Sequence, residues 1–592
     1  MSGAGPGPEP YDLALMPYDR ALLDGREGPA AACGMRIVVA MARLSGAREL
    51  VDVTQAHIDA CLFHGQAGLD FAAGLAGQGG RVRVPTTLNV SSLDLLHPDR
   101  YRGDAATASS ARQLMDAYVA MGAQATWTCA PYQLASRPSL GEHVAWAESN
   151  AVVFANSALG ARTARYGDFI DIAAALTGRA PLSGLHLTPA RRGQVVFDMS
   201  AVPAPLRDED ATYALLGHVI GSRTGPLVPV VVGAPALDED RLKALGAGAA
   251  SSGSVALFHV VGSTPEAPTL DAALQGGSAL RTEQVTAADL AAARADLATA
   301  HGRPFAGVNL GTPHFSVAEF GELRRVLGGR RVCEGVEVYV NTGRGVLAEV
   351  EQRGWLAPLE AAGVRMVVDT CTYITPVLRR LDGLVLTNSA KWAYYAPGNL
   401  GVDVAFATLS ECVESAVAGR LVTDDALWGA PAARSATAPA VPSVSRGGGA
   451  GTTRVLHAGE GEGPVLVLDA PLSFWGGVDP HTGRIIDVHH PQHGASVTGT
   501  VLVLPGGRGS SSSSSVLAEA IREGTAPAAV LMGEADDILV LGALAAAEVY
   551  GRRLPVLEVP AHLTAGLRDG TLVRVDEDGG LHPVPATGAA GT

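Results

Sequence analysis

The amino-acid sequence predicts an α/β protein, with a large multi-lobed part that contains parallel sheets and a small C-terminal domain. Short apolar runs alternate with helical patterns from about residue 11 to about residue 430, which is typical of βαβ units. The composition is 47% hydrophobic but only 5% aromatic, with 72 glycines, and this suits buried parallel strands and closely packed helices. The pattern changes abruptly near residue 435, where a second domain is expected to follow a linker.

Strands are predicted in the large part from four apolar runs: VVVGAP after Pro229, SVALFHVVG around Phe258, PFAGVNLG around Val308 and VRMVVDT around Val367. The small part is richer in short strands, at RVLHAG, PVLVLDAP, RIIDVHH, SVTGTVLVLP and AAVLM. Helices are expected after a run of serines and at ILVLGALAAAEVYG.

The 592 residues are enough for several hydrophobic cores. We predict a disordered tail at residues 1–10, a large catalytic domain at 11–434, a linker at 435–453, a small domain at 454–580 and a tail at 581–592. The linker is rich in proline, serine and glycine and has no periodicity. A joint of this kind commonly places a ligand cleft between the domains that it connects.

The charge and the N-terminus restrict the possible partners. A formal net charge of −15 argues against nucleic acid or an anionic membrane as a general partner. The first twenty residues contain prolines and acidic residues rather than a signal peptide, and no apolar run is as long as a membrane span. We therefore expect a cytoplasmic monomer that binds a small molecule.

Six serines, residues 510–515, stand between a predicted strand and a predicted helix in TGTVLVLPGGRGSSSSSSVLAEAIREGTAP. The unpaired N–H groups at a helix N-terminus favour a carboxylate or a phosphate, and Arg508 can add a bidentate contact. A low-complexity linker is the alternative interpretation, but a linker is seldom enclosed between a strand and a helix. The missing lysine of GxxxxGK[ST] excludes an ordinary nucleotide P-loop.

None of the six cysteines forms a CxxC pair, so dispersed core thiols are expected rather than disulfides. A metal site would have to be assembled by the fold from distant segments. QAHIDACLFHG places Cys61 between two histidines, either as a structural segment or as part of a metal site. Cys371 follows a predicted strand in VVDTCTYITP, and ligands gather at the carboxyl ends of parallel strands. Cys371 is therefore the strongest single candidate for a metal ligand.

Two loops after predicted strands carry polar side chains. In LTNSAKWAYYAPGNLG, Asn388, Ser389 and Lys391 form either a turn with a solvated lysine or a group that faces an anionic substrate. LGTPHFS provides Thr312 and His314.

Two further loops belong to the small domain. APLSFWGGVDPHTGRIID contains an exposed-looking Trp475 and is interpreted as a loop that packs against or covers a ligand cleft. IIDVHHPQHG is expected to be a polar loop, because Pro491 interrupts the spacing that a metal site at His489, His490 and His493 would need.

Together these motifs resemble the aconitase X family. The matching segments are AHIDACLFHG, PTTLNVSSLDLLHP, VVDTCTYITP, LTNSAKWAYYAPG, ECVESAVAG, APLSFWGGVDPHTGRIIDVHHPQHG and LPGGRGSSSSSSVLAEAIREGTAP. The resemblance implies a hydro-lyase whose small domain is a swivelling β/β/α unit. Members of the single-chain bacterial branch dehydrate cis-3-hydroxy-L-proline to Δ1-pyrroline-2-carboxylate, and the two-chain archaeal branch dehydrates mevalonate 5-phosphate.

The same resemblance implies an iron–sulfur cluster, of the 2Fe-2S type in the single-chain branch. The cysteines that match the ligand positions of the family are Cys61, Cys371 and Cys412. The chain has Thr312 where some relatives have the cysteine of GCPH. The loss of that thiolate fits a smaller cluster.

Ser510 matches the catalytic serine of the aconitase Gly-Ser-Ser motif and is expected to act as the base. Arg508, Lys391, Ser511 and Ser512 are expected to hold the substrate carboxylate, and the predicted substrate site also includes Asn388, Ser389 and His64. Phosphate binding would need more cationic residues than Arg508 and Lys391, which argues against the alternative substrate, mevalonate 5-phosphate. A non-enzymatic alternative is an iron–sulfur sensor or binding protein, which would keep the cysteines without needing Ser510.

Overall fold

The computed structural model describes residues 13–299, 302–428 and 452–584. The predicted tail at 1–10 and most of the predicted linker lie outside these residues. The mixed α/β architecture with parallel sheets is confirmed. One difference concerns the C-terminus, where the strand Leu581–Pro583 lies in the predicted tail and pairs with the strand Leu572–Val575.

The largest sheet of the large part has five parallel strands, and it includes the predicted strands around Val308 and Val367. In spatial order they are Val364–Val367, Glu337–Thr342, Phe305–Phe315, Leu384–Thr387 and Asp403–Phe406. A separate hydrophobic cluster packs against this sheet and contains Leu310, Phe320 and Leu386.

Two smaller parallel sheets complete the large part. The four-stranded sheet has the order His259–Val260, Pro229–Val232, Val195–Asp198, Arg281–Gln284. The three-stranded sheet has the order Thr86–Leu88, Ala56–Ile58, Ala145–Trp146. The strands Leu50–Asp52 and Arg179–Pro181 form an antiparallel pair.

The small domain is built on one seven-stranded mixed sheet. Its order is Arg454–His457, Val556–Glu558, Ala529–Met532, Val501–Leu504, Gly461–Val467, Leu572–Val575, Leu581–Pro583. The central strands are parallel, and Val501–Leu504 is fully buried, as its apolar run predicts. A short antiparallel pair, Val478–Asp479 with Arg484–Ile485, lies in the loop that contains Trp475.

Helices cover the sheets, and the serine run leads directly into one of them. The α-helices of the large part are Pro17–Leu23, Pro29–Leu44, Gln66–Gly77, Ala105–Ala120, Ser149–Phe154, Ile170–Thr177, Ala204–Asp208, Ala211–Thr224, Glu239–Ser252, Leu270–Ala273, Ala287–Asp296, Val317–Leu327, Arg344–Gln352, Leu356–Ala361, Ala390–Leu400, Leu409–Ala418 and Asp425–Trp428. Those of the small domain are Ser513–Glu523, Asp537–Tyr550 and Ala561–Thr564. Among the described residues, none of these helices is both long and apolar enough to cross a membrane.

Glycines allow two helices of the large part to approach very closely. The helices Ala211–Thr224 and Glu239–Ser252 meet at Gly217 and Gly248. A methyl group on Gly217 would lie 2.2 Å from the carbonyl oxygen of Leu245, and one on Gly248 would lie 2.5 Å from that of Ala214. Both distances are far below van der Waals contact, so only glycine fits at these two positions.

Three sheets direct the carboxyl ends of their parallel strands towards one region. Asp59, Asn89 and Glu148 follow the strands of the three-stranded sheet, His314, Cys371 and Lys391 stand at or after strand ends of the five-stranded sheet, and residues 510–515 follow a strand of the small domain. The backbone N–H of Ser91 donates to the carbonyl of Asp369 at 2.7 Å, which joins the first two sets of loops. The carboxyl ends of parallel strands are the usual place for a ligand site.

We predict that Gly217→Ala lowers the free energy of unfolding by about 1–3 kcal/mol, because the added methyl group forces two packed helices apart. The matched control is Gly74→Ala in the helix Gln66–Gly77, where a methyl group would meet nothing within 4 Å. That change is expected to raise stability by up to about 1 kcal/mol. Urea unfolding of both variants checks the prediction, and equal midpoints for the two would contradict it.

Candidate active site

The structure brings together two cysteines from separate loops and one histidine from the end of the strand Phe305–Phe315. The ligand atoms of Cys129, His314 and Cys371 all lie within 4.8 Å of one another, and all three residues are buried. The histidine lies between two Thr-Cys dipeptides. Its Nδ1 is 3.0 Å from the hydroxyl of Thr128, and its Nε2 is 3.3 Å from the carbonyl oxygen of Thr370. We call these three residues the cysteine–histidine group.

Backbone strain is concentrated around this group. Trp127 and Asp369 have φ values of 43° and 63°, and each stands two residues before one of the two cysteines. Phe169, next to another site residue, Asp168, has φ of 80°. Left-handed conformations of bulky residues are unfavourable and persist where the surrounding structure enforces them. The two cysteine loops are therefore held in conformations that local sequence preference would not select.

The chemistry of the cysteine–histidine group fits a metal centre. Burial and the neighbouring Cys129 thiol raise the pKa of Cys371 well above its ordinary value, so a cation is needed to stabilise its thiolate. Thiolate and imidazole are donors that iron accepts in iron–sulfur centres. The buried hydroxyl oxygen of Thr312, in the same strand as His314, has no hydrogen-bond partner among the described residues. Donor type, burial and an unsatisfied neighbouring oxygen all fit a bound metal group.

Of the three cysteines predicted as ligands, only Cys371 belongs to this group. Cys412 lies on the inner face of the helix Leu409–Ala418, inside the hydrophobic cluster of the five-stranded sheet. The sulfur of Cys61 lies 3.3–3.6 Å from three backbone carbonyl oxygens, those of Ile58, Asn89 and Val90. The resemblance matched these two thiols to ligand positions, but neither belongs to the group that Cys371 forms with Cys129 and His314.

A buried ion pair lies beside the cysteine–histidine group. The ammonium of Lys391 donates to a carboxylate oxygen of Glu148, and both side chains are nearly inaccessible. Glu148 also accepts from the backbone N–H of Ala151 at 2.7 Å and from the side chain of Asn150. Glu148 raises the pKa of Lys391 well above its ordinary value, against the effect of burial. Lys391 is therefore a charged, fixed group rather than a solvated lysine.

The serine run connects the small domain to the large one. The hydroxyls of Ser511 and Ser512 donate to the same carboxylate oxygen of Asp59, the second at 3.2 Å, and Ser515 donates to Asp168. Ser513 contacts Ser473, and Ser514 donates to the carbonyl of Ser511 at 3.0 Å. Ser510 differs from the other five, because its oxygen accepts the backbone N–H of Ser512 at 3.3 Å and no acceptor for its proton lies among the described residues. It is also the most exposed serine of the run, at 8%.

Asp59, Asp168 and Asp171 form a buried carboxyl cluster below the serine run. Asp171 accepts from the backbone N–H of Asp59 at 2.7 Å, and Asn89 donates to Asp59. Burial is the main cause of the raised pKa values of all three. Repulsion from Glu148 adds to it for Asp59, and repulsion within the cluster adds to it for Asp168 and Asp171. The pKa of Asp171 is raised to about 7.

Arg508 and two aromatic residues form the other side of the domain interface. Arg508 donates to Asp487 at 2.6 Å. Trp475 is 4% exposed, and its ring centroid lies 4.4 Å from that of Tyr395 in an edge-to-face contact. The expectation that Trp475 is exposed was therefore wrong, because this loop packs against the helix Ala390–Leu400. A small cavity between the loop and the helix is lined by Tyr394, Tyr395, Ser473, Trp475 and Asp487.

The remaining predicted residues have mixed environments. The hydroxyl of Ser389 caps the helix Ala390–Leu400 and donates to the carbonyl of Thr312, so it is already committed. Asn388, the residue before it, is half-buried. His64 faces Trp475 edge-on at 6.4 Å, its Nε2 has no partner, and burial lowers its pKa to about 4. His490 and His493 contact the backbone carbonyls of Ala470 and Asp487.

His489 stacks on Tyr394, with ring centroids 5.5 Å apart. Within the described residues, none of the three histidines of IIDVHHPQHG belongs to a group of metal-ligand side chains. The expectation of a polar loop at this segment agrees with these contacts.

Several residues of the site were not predicted from the sequence, among them Cys129, Glu148, Arg165 and Asp168. Arg165 donates to the carbonyl of Gly509 at 2.8 Å and lies 3.6 Å from Asp536. Cys129 did carry a signal, because Thr128-Cys129 repeats the dipeptide Thr370-Cys371. The other three stand in segments without a distinctive motif.

The carboxyl cluster predicts a particular pH dependence of stability. A carboxyl group with a raised pKa stays protonated in the folded state while the unfolded chain ionises, so its contribution to stability falls as pH rises from about 4 to about 7. Asp171→Asn removes this titration. The thermal midpoint of Asp171→Asn minus that of the wild type is therefore expected to increase as the pH rises from about 4 to about 7.

Asp382→Asn, at an exposed position, is the control and is expected to follow the wild type. A constant offset between Asp171→Asn and the wild type at every pH would contradict the prediction.

Four family models together match most of the chain. They describe the first domain of aconitase X at residues 12–189, the second at 193–295, the third at 306–418 and the swivel domain at 451–582. The crystal structure of Thermococcus kodakaraensis aconitase X in the holo-form is similar to this chain, with a TM-score of 0.61 and 30% sequence identity. The match covers 68% of this chain and 100% of the other.

Curated relatives fall into two groups. The cis-3-hydroxy-L-proline dehydratase of Pseudomonas aeruginosa is 46% identical over 407 residues, which cover 68% of this chain and 70% of that protein. The large subunit of phosphomevalonate dehydratase from Methanothermobacter thermautotrophicus is 36% identical, over 66% of this chain and 95% of its own length. The small subunit from the same organism is 44% identical over 128 residues, 22% of this chain and 93% of its own length.

Both groups of relatives are dehydratases, so the chain is an enzyme of the hydro-lyase class. The four domain matches, the shared fold and the identity to these relatives agree with one another. The chain belongs to the aconitase X family.

Proposed function

We propose that the enzyme dehydrates cis-3-hydroxy-L-proline to Δ1-pyrroline-2-carboxylate, with Ser510 as the base. The observation that carries the proposal is the isolated hydroxyl of Ser510. Five serines of the run are used in contacts that hold the domains or the helix together, and one has no acceptor for its proton among the described residues. The residues on either side of Ser510 contact the large part, since Arg165 donates to the carbonyl of Gly509 and Ser511 donates to Asp59.

The chain architecture supports this substrate. The matched phosphomevalonate dehydratases are named as large and small subunits, which correspond to two separate parts of this single chain. The relatives named cis-3-hydroxy-L-proline dehydratases include proteins 46% and 41% identical to this chain.

The charges at the domain interface also favour a substrate without a phosphate. Arg508 is paired with Asp487, Lys391 with Glu148, and Arg165 lies 3.6 Å from Asp536. A phosphate would bring nearly two negative charges into a region where each of these cations already has a carboxylate nearby. A hydroxyproline zwitterion has one carboxylate and one ammonium, so it adds no net charge. Its ammonium can use carboxylates such as Asp487 and Glu148.

For the cofactor we propose an iron–sulfur cluster of the 2Fe-2S type, held by Cys129 and Cys371 with His314 nearby. When bound, such a cluster supplies a Lewis acid that makes the departing hydroxide a better leaving group. Lys391 lies beside these ligands and can donate a hydrogen bond to the substrate hydroxyl as it leaves. Burial of the whole group excludes bulk water from this side of the site.

Ser510 would remove the proton from the carbon that bears the carboxylate. A serine hydroxyl is a weak base unless its oxyanion is stabilised. Here the Ser510 oxygen already accepts the backbone N–H of Ser512, at the positive end of the helix Ser513–Glu523. Arg508, two residues earlier, adds a fixed positive charge. Both features lower the free energy of the alkoxide relative to the alcohol.

The proposal predicts that Ser510→Ala lowers kcat for cis-3-hydroxy-L-proline by about 10²–10⁴-fold, the usual contribution of a general base. Ser514→Ala is the matched control, since its hydroxyl contacts only the carbonyl of Ser511. Product formation by anaerobically purified protein is measured on cis-3-hydroxy-L-proline and on mevalonate 5-phosphate. Unimpaired turnover by Ser510→Ala would refute the role of Ser510, and turnover of mevalonate 5-phosphate alone would refute the substrate.

The ligand assignment predicts which thiols retain iron. Cys129→Ala and Cys371→Ala are expected to lose most of the iron and acid-labile sulfide, because each variant lacks one of the two thiolates of the cysteine–histidine group. Cys61→Ala and Cys412→Ala, which change buried thiols outside the group, are expected to keep both. Iron and sulfide content and the visible spectrum decide the question. If Cys412→Ala lost its iron and Cys129→Ala kept it, the result would contradict Cys129 as a ligand and support the ligand set that the family resemblance implies.

Iron-containing protein that turns over neither substrate would instead favour a sensor or binding protein.

A further inference from the structure

Tyr395 has an environment that the proposed roles of the other residues leave unexplained. It is 3% exposed, and its hydroxyl is buried without a hydrogen-bond partner. A buried phenol normally pairs its O–H group, since an unsatisfied one costs free energy. The aromatic contacts of Tyr395 with Trp475, Tyr394 and Tyr373 explain why the ring is buried. They do not explain why a hydroxyl is present at this position.

The hydroxyl lies against the turn that carries the proposed base. A methyl group on Gly509 would come within 3.1 Å of the Tyr395 hydroxyl and 2.9 Å of the Ser473 hydroxyl. Gly509 stands between Arg508 and Ser510 and has φ of 79°. A side chain at this position would therefore fill the space between Tyr395 and the turn. The glycine keeps that space open.

A second unsatisfied donor lies on the same turn. The Nε of Arg508 is buried and has no partner, although the Nη2 of the same guanidinium is bound to Asp487. Arg508, Lys391 and Arg165 all act electrostatically on Tyr395. The Tyr395 hydroxyl and the Arg508 Nε, both buried and without acceptors among the described residues, therefore lie at the same turn, and Lys391 and Arg165 add two further positive charges. A single anionic group would satisfy both donors.

Helical spacing connects this place to the metal-ligand side of the site. Lys391 and Tyr395 are four residues apart on the helix Ala390–Leu400, so they share one face. Lys391 lies at the cysteine–histidine group. Tyr395 lies one helical turn further along, beside the backbone turn formed by Arg508, Gly509 and Ser510. A substrate whose hydroxyl points to the first group and whose α-carbon faces Ser510 would bring its carboxylate to the Tyr395 end.

We propose that Tyr395 is a catalytic residue that donates a hydrogen bond, together with the Nε of Arg508, to the carboxylate of the substrate. The inference rests on the proposed function and extends it. When Ser510 takes the α-proton, the electron pair left on carbon spreads into the carboxylate, and the carbon–oxygen bond to the hydroxyl then breaks. Negative charge on the carboxylate grows during this step, so both hydrogen bonds strengthen in the transition state.

The cavity beside Tyr395 has a volume of only about 10 Å³, room for roughly one water molecule. Substrate entry therefore requires the two domains to separate at this interface. When the domains close around the substrate, its carboxylate would supply the acceptor that the Tyr395 hydroxyl and the Arg508 Nε lack.

The test is Tyr395→Phe, which removes one oxygen and keeps the aromatic packing. We expect kcat/KM for cis-3-hydroxy-L-proline to fall by about 10²–10³-fold, as for loss of one oxyanion-hole donor, with most of the loss in kcat. Tyr213→Phe is the control, because that tyrosine is also fully buried, but its hydroxyl donates to the carbonyl of Arg207 and no site residue is among the charged groups that act on it. It is expected to keep wild-type kinetics. The thermal midpoint of Tyr395→Phe is expected to equal or exceed that of the wild type.

Binding of pyrrole-2-carboxylate, a planar carboxylate that needs no turnover, separates this inference from the proposed function. Calorimetric titration is expected to give a Kd about ten-fold higher for Tyr395→Phe than for the wild type, and an unchanged Kd for Tyr213→Phe. A wild-type enzyme that binds pyrrole-2-carboxylate through Tyr395 but does not dehydrate cis-3-hydroxy-L-proline would refute the substrate and leave the carboxylate site standing. Equal kcat/KM and equal Kd for Tyr395→Phe and the wild type, or no binding to the wild type at all, would overturn the inference.

Discussion

The contact between the serine run and the buried carboxyl cluster is the interaction on which the site depends. Ser511, Ser512 and Ser515 donate to Asp59 and Asp168, which are among the least accessible acidic side chains of the large part. A buried carboxyl group without partners would cost several kcal/mol, so these hydrogen bonds favour the closed arrangement of the two domains. The position of Ser510 follows from them, because it is the first residue of a segment that its neighbours hold in place.

The balance of charges at the domain interface also follows from the way in which the fold brings these loops together. The loops at the carboxyl ends of the parallel strands bring carboxylates and cations together. Each cation is paired with a carboxylate: Arg508 with Asp487, and Lys391 with Glu148. Paired in this way, the interface tolerates closure without water. It also limits the substrate, because a closed site with balanced charges accepts a zwitterion more readily than a phosphate. The unsatisfied donors of Tyr395 and Arg508 are then the exceptions that show where an anionic group fits.

Much of the fold could be predicted from local patterns. Val501–Leu504 is a buried strand because four consecutive apolar residues end at a proline, and Ser513–Glu523 is a helix because apolar residues recur at its spacing. Cys371 was predicted as a ligand candidate from its position after a strand, and the structure places it in the cysteine–histidine group. Cys129 was not predicted, since the number of residues between thiols says nothing about their distance in a folded chain of this size.

The sequence by itself determined the class of fold, the order of its elements and the chemical types available to the site: thiols after strands, a serine run at a helix N-terminus, and an arginine in a glycine turn. These follow from short-range periodicity and from the conformational preferences of a few residues. Only the tertiary structure decided which thiols meet, which serine keeps a free proton, and that Trp475 is buried against Tyr395. Those outcomes depend on how three sheets are oriented relative to one another, and that orientation is set by the packing of residues that lie hundreds of positions apart.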